Sequence, residues 1–269
     1  STDVAQYYGD YAPKDNPTAA LMNKKVISRD LTVESRNTLL QYNGIPLIGS
    51  YQHDAEGVVA EDQQLLIEDG VLLQMLSDRQ PAENAPYSNG HRRLALNRYK
   101  LATCLAPGVV QLKSKTKSSY KQLKKKLISM AKAEDYDYCY IITKIIGDDL
   151  QYASGMDKYI TSNGYLHPLY CCRIKVKTGE EELVRMVKMP APRLKSFKHI
   201  VSVSSEQQVY NTLINNRYSR FYPAYDFQLY GAPCSFILPK AFLFEEMEID
   251  NDPDVTLQKE PFRPNPLKD

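Results

Sequence analysis

The sequence predicts an α+β fold, with a mainly antiparallel β-sheet or barrel-like core and one or two long helices. Several stretches rich in β-branched and aromatic residues are joined by Asp-Gly or Thr-Gly turns, which is typical of β-hairpins. Only one stretch carries a sustained helical repeat of apolar residues. The 269 residues are 43% hydrophobic and 25% charged, as in ordinary globular proteins.

The first residues predict the end of a helix through DVAQYYGDY, closed by Pro13 and Pro17 because proline cannot continue a helix. We assign residues 1–26 to this helix remnant and a linker. The chain begins at Ser1 without an initiator methionine, which indicates a processed end or a piece of a longer protein.

Residues 27–250 are predicted to form one β-rich domain. Strands are expected in LIGSYQHD (47–54) and in AEDQQLLIEDGVLLQML (60–76). The second stretch divides into a hairpin at Asp69-Gly70, because this dipeptide supplies the positive φ angles of a tight turn. The Pro-, Asn- and Gly-rich segment 78–93 predicts a long loop.

Helix and strand alternate after the loop. SSYKQLKKKLISMAKAED (118–135) has apolar residues every three or four positions and a serine suited to cap the helix. YDYCYIITKII (136–146) predicts a strand, and a hairpin is expected around Thr178-Gly179. Further strands are expected in 198–205 and 234–249, and residues 251–269 predict a Pro-rich extended tail.

Composition limits the possible functions. The net charge of +2 is too small for the strong basic field of a dedicated nucleic-acid binder. No run approaches the ~18 apolar residues of a membrane span, so no membrane partner is expected. Five cysteines without a CxxC spacing favour reduced thiols and therefore a cytoplasmic location.

The sequence assigns no catalytic or metal-binding residue. No two of the four histidines (His53, His91, His167 and His199) are four residues apart, and an HExxH motif is absent. Cys171 and Cys172 would point to opposite sides of a strand, so they cannot bind one ion together. Nucleophile elbows and phosphate-binding glycine loops are also absent.

Three polar clusters have both a functional and a structural interpretation. His53, Asp54 and Glu56 could act as acids and bases, but Gly57 favours a turn. The paired arginines of SNGHRR (88–93) could hold a carboxylate or a backbone carbonyl, or lie in a surface loop. The lysines of Lys113–Lys126 alternate with apolar residues as on a solvated helix face; nucleic-acid binding there is an alternative hypothesis.

GSYQHDAEGVVAEDQQLLIEDGVLLQML, followed by SNGHRR, resembles the TldD/PmbA family of metallopeptidases, formerly called modulators of DNA gyrase. Members of that family carry a D-x-E-G turn, a hairpin of the form LIEDGVL and a loop with GNGRR. The hairpin corresponds to residues 66–72, and His91 is an insertion in the loop. The residues that match the turn and the loop are the candidate substrate-binding residues: Asp54, Glu56, Gly57, Asn89, Gly90, Arg92 and Arg93.

The resemblance implies a C-terminal domain that walls a peptide-binding cavity. In the TldD type, a zinc-bound water cleaves unfolded or leader peptides, with a glutamate as base. Two histidines of an HExxxH helix and a later cysteine hold that zinc. No histidine occurs in DVAQYYGDY, where that helix would end, and Cys234 comes a few residues too late for the cysteine ligand. No cofactor is therefore expected in this chain.

Two interpretations follow from the resemblance. The chain is a C-terminal domain separated from its metal helix, or a metal-free PmbA-like partner of an active subunit. In both, the expected partners are a peptide or unfolded-protein substrate and a related TldD/PmbA-like subunit in a dimer. A further hypothesis is a non-catalytic binding module that uses some of the 20 tyrosines as recognition residues.

Overall fold

The structure is a computed structural model that describes residues 19–80, 85–96, 101–145, 165–166, 168–184, 187–214 and 231–251. These residues form many short strands and a single α-helix, which confirms the α+β class with a mainly β core. The predicted helix end within 1–18 and the tail residues 252–269 lie outside the described residues. None of the described helices is long and apolar enough to cross a membrane.

The helix, α1, runs from Tyr120 to Ala133, and short 3₁₀ turns occupy Ala19–Leu21 and Ser196–His199. The strands, in chain order, are β1 (Leu31–Ser35), β2 (Gln41–Tyr42), β3 (Ile45–Pro46), β4 (Gln64–Glu68), β5 (Val71–Leu72), β6 (Arg92–Leu96), β7 (Leu101–Leu105), β8 (Val109–Ser114), β9 (Lys117–Ser118), β10 (Tyr138–Ile145), β11 (Tyr165–Leu166), β12 (Pro168–Lys175), β13 (Glu181–Val184), β14 (Val187–Pro190), β15 (Ile200–Ser204), β16 (Gln207–Ile214), β17 (Ala232–Pro239), β18 (Phe242–Phe244) and β19 (Asp250–Asn251).

The chain divides into two compact units, and the boundary falls within α1, between Met130 and Ala131. The larger unit comprises the described residues up to Met130 together with Pro192–Glu246. The smaller unit comprises those of Ala131–Ala191 and the described residues from Met247 onward. The larger unit is therefore discontinuous in sequence.

A six-stranded sheet organises the larger unit, in the order β16-β17-β8-β1-β4-β5. All its pairs are antiparallel except β17 with β8. The sheet is open among the described residues, with β16 and β5 at its edges, so the core is a sheet and not a barrel. A three-stranded sheet, β18-β15-β9, and the hairpins β2-β3 and β6-β7 complete this unit.

Apolar residues cover both faces of the six-stranded sheet. Leu112 and Val109 are three residues apart on β8, so they face opposite sides. Leu112 packs against a core that includes Leu31, Ile200 and Val203, where Phe197 and Phe244 meet edge to face. Val109 packs with Leu47 and Ile237 on the other side. Two buried faces explain why this unit needs covering segments on each side of the sheet.

The smaller unit contains two three-stranded sheets, β10-β12-β13 and β11-β14-β19. The predicted strand in 136–146 is confirmed as β10, and the predicted hairpin joins β12 to β13 with Gly179 at φ 74°. Cys171 is fully buried while Cys172 is half-buried, as expected for neighbours on opposite sides of a strand.

Two sequence predictions differ from the structure. Residues 47–54 do not form a strand, because their backbone bonds to loops: the Tyr51 amide donates to the Asn37 carbonyl, and only His53 forms a bridge. The predicted loop 78–93 ends earlier, because Arg92 and Arg93 pair with Leu105 and Cys104 in the hairpin β6-β7.

Candidate functional site

Asp54 organises the tight turn that follows His53. One carboxylate oxygen accepts the amide protons of Glu56 (2.8 Å) and Val58 (2.9 Å), and the other accepts the amide proton of Arg92 (3.2 Å). Gly57 completes the turn at φ 76°. The carboxylate of Asp54 is thus occupied by three backbone donors, and the cluster is the turn that the sequence favoured.

Glu56 of this turn and Arg92 at the start of β6 both bond to the segment after β5. Glu56 Oε2 accepts the Arg79 amide proton at 2.8 Å. The Arg92 guanidinium forms an ion pair with the buried Asp78 at 3.0 Å and donates to Thr103 Oγ1. Arg92 therefore does hold a carboxylate, but one that belongs to this chain.

Arg93 lies in the interior, with only 7% of its surface exposed. Its guanidinium carbon stacks 3.6 Å from the centre of the Tyr51 ring, and Nη2 donates to the carbonyls of Gly49 (3.2 Å) and Pro233 (3.4 Å). Nε has no hydrogen-bond partner among the described residues. Burial lowers the pKa of this guanidinium. Arg93 thus fastens the loop before Tyr51 to the start of β17.

His91 is fully buried in a hydrogen-bond network. Its Nδ1–H donates to the backbone carbonyl of Asn89 (3.0 Å) and to Asn89 Oδ1 (2.9 Å), so Nε2 accepts from Asn37 Nδ2 at 3.2 Å. Ser35 Oγ lies 3.1 Å from the same Nε2. Burial lowers the pKa of His91 from 6.5 to about 4. The inserted histidine is therefore a neutral residue of the interior.

Asn89 and Gly90 fix the loop that leads into β6. Asn89 Oδ1 accepts the Ser77 amide proton at 2.7 Å, and its Nδ2 donates to the Met75 carbonyl at 2.8 Å. The Gly90 carbonyl accepts the Tyr51 hydroxyl proton at 2.5 Å. The structure therefore brings the seven candidate residues into one connected region, in which each has a role within the chain.

Two loops meet backbone to backbone at Gly49 and Gly108. A Cβ on Gly49 would lie 2.2 Å from the Gly108 carbonyl oxygen and 2.7 Å from the Ser235 nitrogen. A Cβ on Gly108 would lie 2.4 Å from the Tyr51 ring. Only glycine fits at either position, because side-chain carbons do not approach backbone atoms so closely.

No three His, Cys, Asp or Glu side chains of the described residues converge as a metal site would require. His167 lies outside the described residues. Cys234 is fully buried, and its thiol donates to the Pro107 carbonyl at 2.8 Å. Burial raises the pKa of Cys234 to about 11, so it is a neutral thiol in this environment.

The two edges of the six-stranded sheet differ. Next to β5, the chain segment around Lys24 pairs with the edge: the Leu72 amide donates to the Lys24 carbonyl, and the Asn23 amide donates to the Leu72 carbonyl. At the other edge, β16 pairs only with β17 among the described residues. The eight-residue register of β16 with β17 shows no bulge.

Sequence reasoning missed the strands β1, β8 and β16 and the two hairpins β2-β3 and β6-β7. For β2-β3 a signal was present, because Asn43-Gly44 is a favoured hairpin dipeptide, and both residues have positive φ angles. For β16, QQVYNTLI gives only a weak strand signal, because polar residues interrupt its apolar positions.

The lysines of Lys113–Lys126 are in different environments. Lys113 and Lys115 form ion pairs with Glu34 and Asp69, each at 2.6 Å. On α1, Lys121 and Lys125 are exposed on the side opposite the buried Leu123, and Lys126 is exposed on the face next to it. This pattern is that of an amphipathic helix with a basic, solvent-facing side.

Exposed tyrosines occur in both units among the described residues. In the smaller unit, the Arg173 guanidinium stacks 4.3 Å from the centre of the Tyr138 ring and pairs with Glu182. Tyr136 and Tyr170 are more than half exposed in the same unit. Aromatic groups of this kind are available for contacts with another protein.

The model of the PmbA/TldA metallopeptidase C-terminal domain matches residues 10–250. TldE from Thermococcus kodakarensis has a similar fold, with a TM-score of 0.56 and 16% identity over 87% of this chain. A proposed modulator of a DNA gyrase from Thermotoga maritima gives a TM-score of 0.54 and 16% identity over 87% of this chain. Each match covers 42% of the solved chain. No curated protein matches the sequence.

Proposed function

The chain belongs to the family of PmbA/TldA metallopeptidase C-terminal domains, and from this premise we propose that it holds extended segments of unfolded or leader peptides for a TldD/PmbA-like peptidase. In this proposal the chain supplies the binding surface, and another part of the assembly supplies the chemistry. The observation that supports it is the edge of the six-stranded sheet at β16, which no other described strand pairs with.

An edge strand presents alternate N–H and C=O groups that its only neighbour does not use. A peptide in extended conformation can pair with these groups and become the next strand of the sheet. Because the contacts are made to the main chain, such binding tolerates many sequences. That property suits a domain whose substrates are unfolded or leader peptides.

Zinc does not fit the residues that the structure describes. They contain no converging ligand set, and Cys234 is a buried thiol that is hydrogen-bonded to a carbonyl. We therefore assign no zinc ligand and no chemical step to them. The metal helix that the family resemblance implies would come from a separate segment or from a related TldD/PmbA-like subunit in a dimer.

The seven candidate substrate-binding residues are proposed to shape the wall beside the peptide. Asp54 and Gly57 form the turn, and Asn89 and Gly90 position the start of β6. Arg93 fastens the neighbouring loop to β17, which is the strand that pairs with β16. Substitutions at these positions should therefore change peptide affinity through the shape of this region.

Hydrogen–deuterium exchange with and without an extended model peptide tests the proposal. We expect peptide to slow exchange in residues 207–214 and to leave the edge next to β5 unchanged. Zinc-dependent cleavage should appear only when a TldD-like subunit is added. Peptide that protects a different segment, or none at saturating concentration, would contradict the proposed role.

A metal-free PmbA-like partner and a protein-binding module with exposed tyrosines are alternatives to this function. Measurements with a TldD-like subunit separate them. A PmbA-like partner should form a stable dimer with that subunit and change the rate at which the subunit cleaves peptide. A protein-binding module would bind without changing cleavage. We also propose a cytoplasmic location, since none of the five cysteines forms a disulfide.

Nucleic-acid binding through Lys113–Lys126 is a second candidate, favoured by the five lysines of α1 and the lack of acidic residues in this helix. Lys113 and Lys115 already pair with acids of this chain, which reduces the charge available. Retention of a DNA duplex that falls with salt, and is lost when Lys121 and Lys125 become glutamine, would support it. Retention that does not depend on salt would exclude it.

A further inference from the structure

The hairpin β2-β3 lies beside one side of the β16 edge and is fixed there by polar contacts. The Tyr42 hydroxyl donates to Gln207 Oε1 at 2.6 Å, and Asn211 Nδ2 donates to the Pro46 carbonyl at 2.9 Å. Val209 packs against the cluster that contains Leu47. The odd-numbered residues of β16 therefore point toward the hairpin, and the even-numbered residues point to the other side of the sheet.

The exposed surface of this hairpin region is apolar. Leu40, Ile45 and Ile48 are 72%, 44% and 47% exposed, although large aliphatic side chains are more often buried. The Asn43-Gly44 turn and the contacts to β16 hold these side chains in a fixed frame. An apolar surface that is held rigid next to an open strand edge is suited to bind side chains of an added strand.

Neither the hairpin region nor β16 contains a charged residue. Residues 38–52 and β16 contain no Asp, Glu, Lys or Arg, although 25% of the whole chain is charged. Exposed edges are commonly protected by charged residues, proline or a bulge, and β16 has none of these. The surface therefore complements an uncharged segment, because a charged side chain placed there would lose water without gaining a partner.

We propose that the hairpin forms a side-chain subsite that selects peptides with apolar residues at every second position. This inference rests on the proposed function, since it takes a peptide strand paired with β16 as its starting point. In such a strand, the residues beside Val209 and Asn211 lie on the hairpin side and meet its apolar surface. The residues between them lie on the side of Tyr210, which is 44% exposed.

Three peptides separate the subsite from strand pairing. The first is an eight-residue peptide that alternates valine and threonine; the second replaces its valines with aspartate. The third keeps the valines but carries N-methyl groups on alternate amides, which removes main-chain donors. We expect the first to bind at least tenfold more tightly than each of the other two, measured by fluorescence anisotropy of labelled peptides.

Substitutions in the hairpin test the same subsite in the protein instead of in the peptide. Ile45→Asp should weaken binding of the valine peptide about tenfold or more, and Leu40→Gln should do so to a smaller extent. Leu183→Asp is the matched control, because Leu183 is 51% exposed on β13 of the smaller unit. The control should bind like the original chain, and circular dichroism spectra should show that all variants are folded.

The outcomes distinguish the two proposals. If the N-methylated peptide binds as well as its parent, strand pairing is wrong and the proposed function fails. If pairing holds but the aspartate peptide and the Ile45→Asp variant bind normally, the apolar subsite is wrong. Sedimentation that shows a dimer, abolished by Thr212→Pro, would mean that a second copy fills the edge and would overturn the inference.

Discussion

At the scale of single residues, His91 couples protonation to folding. Both of its ring nitrogens are hydrogen-bonded inside the larger unit, where a charged imidazole would lose its hydration. The pKa is near 4 in the fold and 6.5 in an exposed histidine, so the unfolded chain binds more protons between these values. Stability from this residue is therefore complete above about pH 6.5 and is lost as the pH falls toward 4.

Between pH 6.5 and 4, His91 should lower the free energy of unfolding by about 3 kcal/mol, which follows from the difference between its two pKa values. Urea unfolding at pH 7, 5.5 and 4 measures it. A His91→Gln variant should be less stable at pH 7 but should show a smaller decline with acid. Leu183→Gln is the control, since Leu183 is exposed and not titratable, and the pH profile of this variant should match that of the original chain. Equal profiles for both variants would contradict the role of His91.

At the scale of elements, the stability of the hairpin β4-β5 depends on the glycine of its turn and on the backbone of Ile27 and Ser28, which packs against that glycine. Gly70 has a φ angle of 78°, and a Cβ there would lie 2.5 Å from the Ile27 carbonyl oxygen and 2.8 Å from that of Ser28. Gly179 has the same kind of φ angle in the turn between β12 and β13, but nothing lies within 4 Å of its Cβ position. The two glycines share a positive φ angle and differ in what surrounds them.

Gly70→Ala should therefore destabilise the chain by about 2–4 kcal/mol, from the unfavourable φ angle together with the backbone clash. Gly179→Ala should cost only about 1 kcal/mol, because only the unfavourable φ angle contributes and no backbone clash occurs. Thermal unfolding of the two variants gives the comparison. Equal losses would show that the segment over the β4-β5 turn moves aside without cost.

The start of α1 is closed by a capping box. The Gln122 amide donates to Ser119 Oγ at 3.3 Å, and the Ser119 amide donates to Gln122 Oε1 at 2.7 Å. Ser119→Ala should lower stability by about 1 kcal/mol, whereas Ser119→Asp should restore most of it because aspartate also caps helices. Urea denaturation provides the values, and an alanine variant as stable as the original would argue against the cap.

Local sequence signals predicted some elements and not others. The helical repeat and its capping serine predicted α1, and Asp69-Gly70 predicted a hairpin, because these structures depend on neighbouring residues. The segment 47–54 has apolar residues like a strand, but its backbone bonds to distant loops, which no local pattern reveals. The interior roles of His91 and Arg93 likewise depend on residues far away in sequence, Asn37 and Pro233.

At the scale of the whole molecule, the larger unit is assembled from two separate stretches of the chain. β17 pairs with β8 in a parallel manner, although more than 100 residues separate them, and β15 pairs with β9 in the same way. Such non-local pairing must close long loops before it contributes contacts, which favours slow folding. The six-stranded sheet therefore cannot be completed until the second stretch is available.

A fragment that ends at Met130 should consequently fail to fold, because it lacks β15–β18 and leaves β8 without its parallel neighbour. We expect a circular dichroism spectrum without cooperative thermal unfolding for this fragment. Addition of a second fragment with residues 192–251 should restore cooperative unfolding. A fragment 1–130 that unfolds cooperatively by itself would show that β1, β4 and β8 form an independent core.

The contact between Gly49 and Gly108 also constrains how this chain can diverge. A side chain at either position requires the two loops to move apart. A substitution at one glycine therefore cannot be compensated by a substitution at the other. Homologues that keep this contact should retain glycine at both positions together, and those that lose one should lose the other. Glycine at both positions is thus a marker of this loop contact, which an alignment of distant relatives can test even where overall identity is low.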